Sequence, residues 1–388
     1  MNVVLFDEEE VWKQLLPFTF TKPVSELRLG IFTLREKWAA HLDYPCYSLS
    51  REYLREKYPA EIEADNFFIN SKLMPDGNLV EAIMELHPDS ALIAGKTILA
   101  YRGQYRKPAE TSALKTISYT KEYNSIEQVW DLFQKCGKWI EADLQIISKK
   151  RKSQALSSSV TVIGDRSRVY LEEGAKAEAC ILNTTNGSIY IGKDAEIMEG
   201  SVVRGPFALG EHSALKLCSK IYGPTSIGPH CKVGGEVNNS VIMGYSNKAH
   251  DGFLGNSVLG EWCNLGADTN NSNLKNNYAN VNLYSYNTHK LENTGLQFCG
   301  LIMGDHSKSG INTMFNTGTV VGVGCNIYGG GFPPTHIPSF SWGGSEGLQD
   351  YKLEKLFETA ERVFERRGLV FGDVDKNILR KIKEGVLV

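Results

Sequence analysis

Gly174, Gly192, Gly210 and Gly228 fall 18 residues apart in this 388-residue chain. Three positions after each stands a small residue (Ala177, Ala195, Ser213, Cys231), and five positions after each an apolar one (Ala179, Ile197, Leu215, Val233). Eighteen residues make three hexapeptides, one coil of a triangular parallel β-helix. Such a repeat cannot bury its apolar face alone, so the period predicts a stacked prism with the small residues turned inward. The register runs from Gly174 to Gly234, shifts, and resumes in LGEWCNLG (259–266), IMGDHSKSG (302–310) and VGVGCNIYG (321–329), where Gly304 and Gly322 are again 18 apart. Strands stacked at ~4.8 Å from Ser159 onward then give a prism of about eight coils.

The rest of the chain divides around this repeat. Residues 1–147 alternate strand and helix patterns: Val3–Phe6, NFFIN (66–70), Ala91–Ala94 and Thr97–Tyr101 read as strands, and Val24–Leu42 and Asn78–Leu86 as helices. That alternation predicts a three-layer α/β domain. A polar connector is expected over 106–125, then an amphipathic helix over Ser125–Ile147 and a linker over 148–158 that includes the basic run SKKRKSQ. The β-helix is expected over 159–345. An asparagine-rich segment without hexad register (268–299) interrupts it and reads as a loop on one face. Residues 346–388 read as a helical cap, with helices over Asp350–Arg367 and Val374–Lys383 covering a β edge that would otherwise invite aggregation.

Composition excludes some function classes. A formal net charge of −3 points away from nucleic acid. No segment approaches the ~20 apolar residues that span a bilayer, and MNVVLFDEEE has no basic leader region, so no membrane partner is expected. The eight cysteines form no CxxC pair. Cys231, Cys263 and Cys325 take the small inward position, where a thiol packs as a small hydrophobe. Reduced cysteines predict a cytoplasmic setting.

One stretch stands out for chemistry: NKAHDGFLGNSVLGEWCNLGADT (247–269). His250 lies where the register shifts, beside the asparagine-rich segment. An imidazole titrating near neutral pH suits a general base that deprotonates an attacking amine. His212 and His230 share one register position, two after the glycine, and read as outward-facing.

This stretch resembles the acetyltransferase half of the GlmU-type bifunctional N-acetylglucosamine-1-phosphate uridylyltransferase/glucosamine-1-phosphate acetyltransferase family. There a left-handed β-helix carries K-A-G-H-x-x-Y-x-G-D-x-x-x-G-x-x-x-N-x-G-A. Lys248, Ala249 and His250 lack the extra glycine, but Phe253, Gly255, Gly260, Asn264, Gly266 and Ala267 keep the downstream spacing. The resemblance implies His250 as catalytic base, with Asn264 holding substrate and base. It also implies Ala267 as a backbone donor toward the acetyl group, an oxyanion-type contact. Phe253 replaces the family tyrosine and Asn238 a substrate-binding lysine. Lys220 falls near the family's phosphate-binding arginine, and Lys275 adds a cation. Gly310, Ile311 and Gly329 fall at the family's acetyl-CoA contacts.

The N-terminal region lacks the glycine-rich loop G-x-G-[TS]-R-x4-P-K that holds triphosphates. In its place stands LPFTFTKPVSELRLGIFTLREKW (16–38), with Lys22 and Arg28 as candidate nucleotide-binding cations. This segment and NFFINSKLMPD (66–76) resemble the compact sugar-nucleotidyltransferase-like domain found in an alternative form of the same family. The resemblance implies nucleotidyl transfer with Mg²⁺, for which Asp7 and Asp76 are the candidate ligands. The expected enzyme is a homotrimer that uses acetyl-CoA, a sugar phosphate and a nucleoside triphosphate. Two alternatives stand beside it: a catalytically reduced sugar-nucleotide-binding or scaffolding protein, and a carbonic-anhydrase-like metal lyase using His230, His250 and His306.

Overall fold

A computed structural model describes residues 1–42, 44–106 and 113–385. The expected connector lies partly, and the tail of the C-terminal cap wholly, outside them at 107–112 and 386–388. The chain forms two compact units: Met1–Leu15, Thr21–Leu27 and Phe32–Gln128, and Leu16–Phe20, Arg28–Ile31 and Val129–Val388. This division falls at 128, not at 147.

The first unit is built on a six-stranded sheet in the order Cys46–Leu49, Asn2–Phe6, Asn66–Asn70, Thr97–Gly103, Ser90–Ala94, Lys115–Ser118. The first three strands run parallel. Thr97–Gly103 pairs antiparallel with both of its neighbours. Alternate residues of NFFIN face opposite sides, as a strand requires. Phe67 and Ile69 join one cluster with Trp38, Leu79 and Ile83 from the helices Leu34–His41 and Gly77–Met84. Phe68 joins a smaller cluster with Val4, Ala91, Tyr101 and Leu114, which contains no helix residue, where the sequence reading places a second helical layer. Val24–Leu42 is α-helical only over Leu34–His41, with a single 3-10 turn at Val24–Glu26. Thr33 begins that helix with a capping box closed by Glu36, a start signal that outweighs the apolar spacing upstream.

The second unit is the parallel β-helix. One face stacks nine parallel strands among the described residues, one more than the expected coil count. The register shows where 18 holds. Ile189 sits on Phe207, Phe207 on Thr225, and Ile302 on Val320, each 18 residues on. The first coil is longer: Val169 sits on Ile189 and Ala177 on Ile197. Gly174 therefore stands over Asp194, not over Gly192, and Ala179 is exposed in a left-handed turn. The match between Gly174 and the ladder is a coincidence of spacing. The ladder proper is Gly192, Gly210 and Gly228, each with the next coil's backbone within 3 Å of where a Cβ would stand.

The coils around His250 are short. Ile227 pairs with Ile242 and Lys232 with Asn247, 15 residues on, and Asn247 with Asn264, 17 on. Val258 then pairs with Ile302, so the insertion leaves and rejoins within one coil. Its start remains in the prism, Asn270–Asn271 pairing with Met314–Phe315, and its body folds into the hairpin Asn282–Ser285 with Lys290–Asn293.

The amphipathic segment before the prism breaks into two helices, Asp131–Gln134 and Cys136–Lys150. The second packs on the coils. Its Glu141 accepts from the Ser188 N–H and Oγ, and a Cβ on Gly137 would touch Pro224. Residues 148–158, read as a linker, begin inside this helix; Arg151 pairs with Glu172 and the Gln154 N–H donates to the Leu171 carbonyl. At the other end Gly347–Asp350 pairs antiparallel with Ser341–Gly344 before the helices Leu353–Glu365 and Asp373–Lys383. That hairpin gives the last strand of its face a partner, which is how the sheet edge is closed.

Candidate functional site

The structure offers two sites, one in each unit. In the first, a cavity of about 560 Å³ opens at the carboxyl ends of the parallel strands. Phe6 and Asp7 follow the first strand, Leu49 and Ser50 the Cys46–Leu49 strand, and Asn70 ends the third. Crevices outside strand carboxyl ends are where open α/β sheets bind ligands. The walls add Arg51, Arg55, Lys96 and Arg106 as cations and Tyr101 and Tyr105 as aromatic surfaces. Tyr101 stacks on Phe68 at 4.5 Å. None of these was singled out from sequence, because they are scattered over loops whose proximity only the sheet order creates.

Asp7 lines this cavity. Its carboxylate accepts from Ser71 Oγ at 2.6 Å and from the Val24 N–H at 3.1 Å. Burial nonetheless pushes its pKa up from 3.8 to about 6, against these hydrogen bonds and Arg51. Folded protein thus binds the proton more tightly than unfolded chain, so stability falls as pH rises from about 4 through 6. Asp7→Asn is expected to remove that slope and stabilise the protein by about 1–3 kcal/mol above pH 6. Thermal melts at pH 4.5 and 7.5 check this; an unchanged difference between the two melts refutes it.

The other first-unit candidates lie elsewhere. Asp76 caps the helix Gly77–Met84, accepting from the Leu79 N–H at 3.0 Å, and is not part of the cavity wall. Lys22 is buried and does not line the cavity. Arg28 belongs to the second unit, where its guanidinium donates to the carbonyls of Met243 and Ile31. Among the described residues no three acidic, histidine or cysteine side chains converge as a cation site. Asp76 in particular is committed to its helix cap.

In the second unit, register brings together candidates that are far apart in sequence. Val233 pairs with Lys248, Asn247 with Asn264, Leu265 with Ser309, and Ser309 with Ile327. Two residues past those partners, His250, Ala267, Ile311 and Gly329 occupy equivalent places on four successive coils. They form one edge of the prism, between its third face, which carries Asn247–Lys248, and the next coil's first face, which carries Phe253–Gly255. Gly266 and Gly310 stack beneath that edge with no room for a Cβ on Gly266. His250 and Ile311 are exposed.

Lys248 holds the backbone at His250. Its Nζ donates to the His250 carbonyl at 2.6 Å, and burial lowers its pKa to about 8 although Asp251 and Asp268 act to raise it. On the adjoining first face, Lys220 pairs with Glu236 and Glu236 with Phe253, while Asn238 pairs with Gly255. Lys220, Asn238 and Phe253 are thus gathered on one face next to His250. The Phe253 ring fills the space a side chain at Gly255 would need. Lys275 is separated from them. It lies at the base of the hairpin, donates to the Asn280 carbonyl at 2.8 Å, and lines a different cavity with Ser272, Asn282 and Phe332.

The three-histidine arrangement does not form. His212, His230, Tyr245 and Trp262 stack in a column at another corner, with centroids 4.9, 4.8 and 4.3 Å apart, and His306 continues it. His230 and His306 belong to that column and His250 to the edge described above.

Residues 3–152 match the family model described as sugar nucleotidyl transferase. The N-terminal part of this chain is similar to that family. The Bifunctional protein GlmU of Methanocaldococcus jannaschii is 35% identical over 94 residues, 24% of this chain and 22% of that protein. The bifunctional sugar-1-phosphate nucleotidylyltransferase/acetyltransferase of Sulfurisphaera tokodaii is 27% identical over 270 residues, 66% of this chain and 59% of that protein. The chain thus spans between about a fifth and three fifths of the length of these curated relatives. Among solved structures, the UDP-N-acetylglucosamine acyltransferase from Campylobacter jejuni is similar at 13% identity and a TM-score of 0.26, over 59% of this chain and 96% of that one. No helix of the described residues is long and apolar enough to cross a membrane.

Proposed function

We propose that this protein is a two-site enzyme of nucleotide-sugar synthesis. The β-helix transfers acetyl from acetyl-CoA to the amine of an amino-sugar 1-phosphate. The observation that carries this reading is the single edge on which register gathers His250, Ala267, Ile311 and Gly329. His250 accepts the proton as the amine nitrogen bonds to the thioester carbonyl carbon. The backbone N–H of Ala267 faces the oxyanion that forms, and collapse expels the CoA thiolate. Asn264 holds acceptor and base, and Lys220, with Asn238 and Phe253 beside it, receives the sugar phosphate. The exposed edge needs a second surface to exclude water, which supports a homotrimer with sites between prisms.

The first-unit cavity takes the sugar 1-phosphate and a nucleoside triphosphate, with UTP as the nucleotide tested first. Arg51, Arg55, Lys96 and Arg106 oppose phosphate charge there. The acidic run Glu8–Glu10 stands where a triphosphate-holding loop would need glycine amides, and this favours a second reading in which the cavity binds a sugar nucleotide without turnover.

Two assays separate these possibilities. Acetyl transfer to glucosamine-1-phosphate, followed by thiol release, tests the edge. Pyrophosphate release from UTP and N-acetylglucosamine-1-phosphate tests the cavity. Thiol release without pyrophosphate release leaves the first unit as a binding domain; neither product overturns the two-site reading.

A further inference from the structure

The helix Leu353–Glu365 ends at a defined place on the prism. Phe364 lies on Trp262, with centroids 3.8 Å apart and planes within 20°, and near His306 at 6.1 Å. Phe371 closes the cluster edge-on to both Phe364 and His306. Aromatic contacts of this kind fix the position of the helix end and its rotation. Arg367, three residues beyond Phe364, is thereby set on the outer surface of the third face. Its guanidinium donates to Asn247 Oδ1 at 3.3 Å. Asn247 Nδ2 donates in turn to Asn264 Oδ1 at 3.5 Å, across strands paired at those two residues.

We infer that Arg367 is a positioning residue for acetyl transfer, acting through Asn247 to fix the amide of Asn264. The inference rests on the acetyl-transfer reading above. Its physical basis is the direction of the hydrogen bonds. An asparagine amide has two orientations that differ only in which end is the acceptor. A guanidinium carries donors alone, so Asn247 must turn its oxygen to Arg367 and its nitrogen to Asn264. Asn264 must then turn its oxygen to Asn247, which leaves its own nitrogen as the donor offered outward. One cation at the end of a helix thus sets the polarity of two amides in succession. The segment that follows the helix Leu353–Glu365 is by this account part of the acetyl-transfer site.

The test uses the full chain and steady-state acetyl transfer to glucosamine-1-phosphate by wild type, Arg367→Ala, Asn247→Ala and the double variant. Arg367→Ala is expected to lower kcat about 10-fold, the effect of losing one charge-assisted hydrogen bond, with KM for acetyl-CoA unchanged. The double variant is expected to match Asn247→Ala alone, because residues acting in series are not additive. Arg367→Lys, which keeps a donor, should recover part of the loss. Arg367 is only half-buried, so its variants should melt within a few degrees of wild type. Wild-type kcat in Arg367→Ala, or losses that multiply in the double variant, overturn the inference while the acetyl-transfer reading stands. A wild-type protein that transfers no acetyl group removes that reading and the inference together.

Discussion

His250→Ala is expected to lower kcat for acetyl transfer by about 10²–10⁴-fold, the usual worth of a positioned general base. KM for acetyl-CoA should change little. Ala267, Ile311 and Gly329 stand on other coils, and the backbone at 250 stays anchored by Lys248 Nζ on its carbonyl. The imidazole is exposed, so its removal opens no core cavity and the melting temperature should hold. Kinetics across pH give the decisive reading. With the base gone, the residual rate should rise toward high pH, as the amine of the acceptor loses its proton to solvent. A variant within threefold of wild type at pH 7.5 would place the base elsewhere.

Gly228→Ala is expected to be the most damaging single substitution in the prism. A Cβ there would stand 1.5 Å from the Met243 carbonyl oxygen and 2.5 Å from its carbon. The obstacle is the backbone of the next coil, which no rotamer change can relieve. That coil is one of the short ones, with Ile227 directly beneath Ile242, so two coils would have to separate locally. Overpacking of this kind costs about 3 kcal/mol or more. Chemical denaturation of the intact chain measures it, with Gly330→Ala as control because nothing stands within 4 Å of a Cβ at Gly330. Equal stability of the two variants would mean the coils are not packed as described.

The candidate sites were legible in the sequence to different degrees. His250, Asn264 and Ala267 were found because a hexapeptide solenoid converts spacing into position, so a motif on successive coils is a motif in space. Lys275, expected as a further cation from the insertion, stands apart from them, since the insertion leaves the prism and folds on its own hairpin. Arg367 carries no local signal. It lies 120 positions from Asn247 and reaches it only because Phe364 stacks on Trp262. The cavity beside Asp7 was equally hidden. Its cations come from three separate segments, and Asp76, an apparent ligand in the sequence, turns out to cap a helix.

The repeat of small and apolar residues was enough to determine a parallel β-helix, because a coil has only one way to bury that pattern. The ladder's glycines at 192, 210 and 228 mark coils that truly stack at 18. Gly174 carries the same spacing without the same place, since its coil is longer and puts Ala177 on Ile197. Coil length depends on what each corner accommodates, and corners are settled by contacts with neighbouring coils. Tertiary structure alone therefore decided which equal spacings are true repeats, which residues share the His250 edge, and that the end of the helix Leu353–Glu365 brings Arg367 to Asn247.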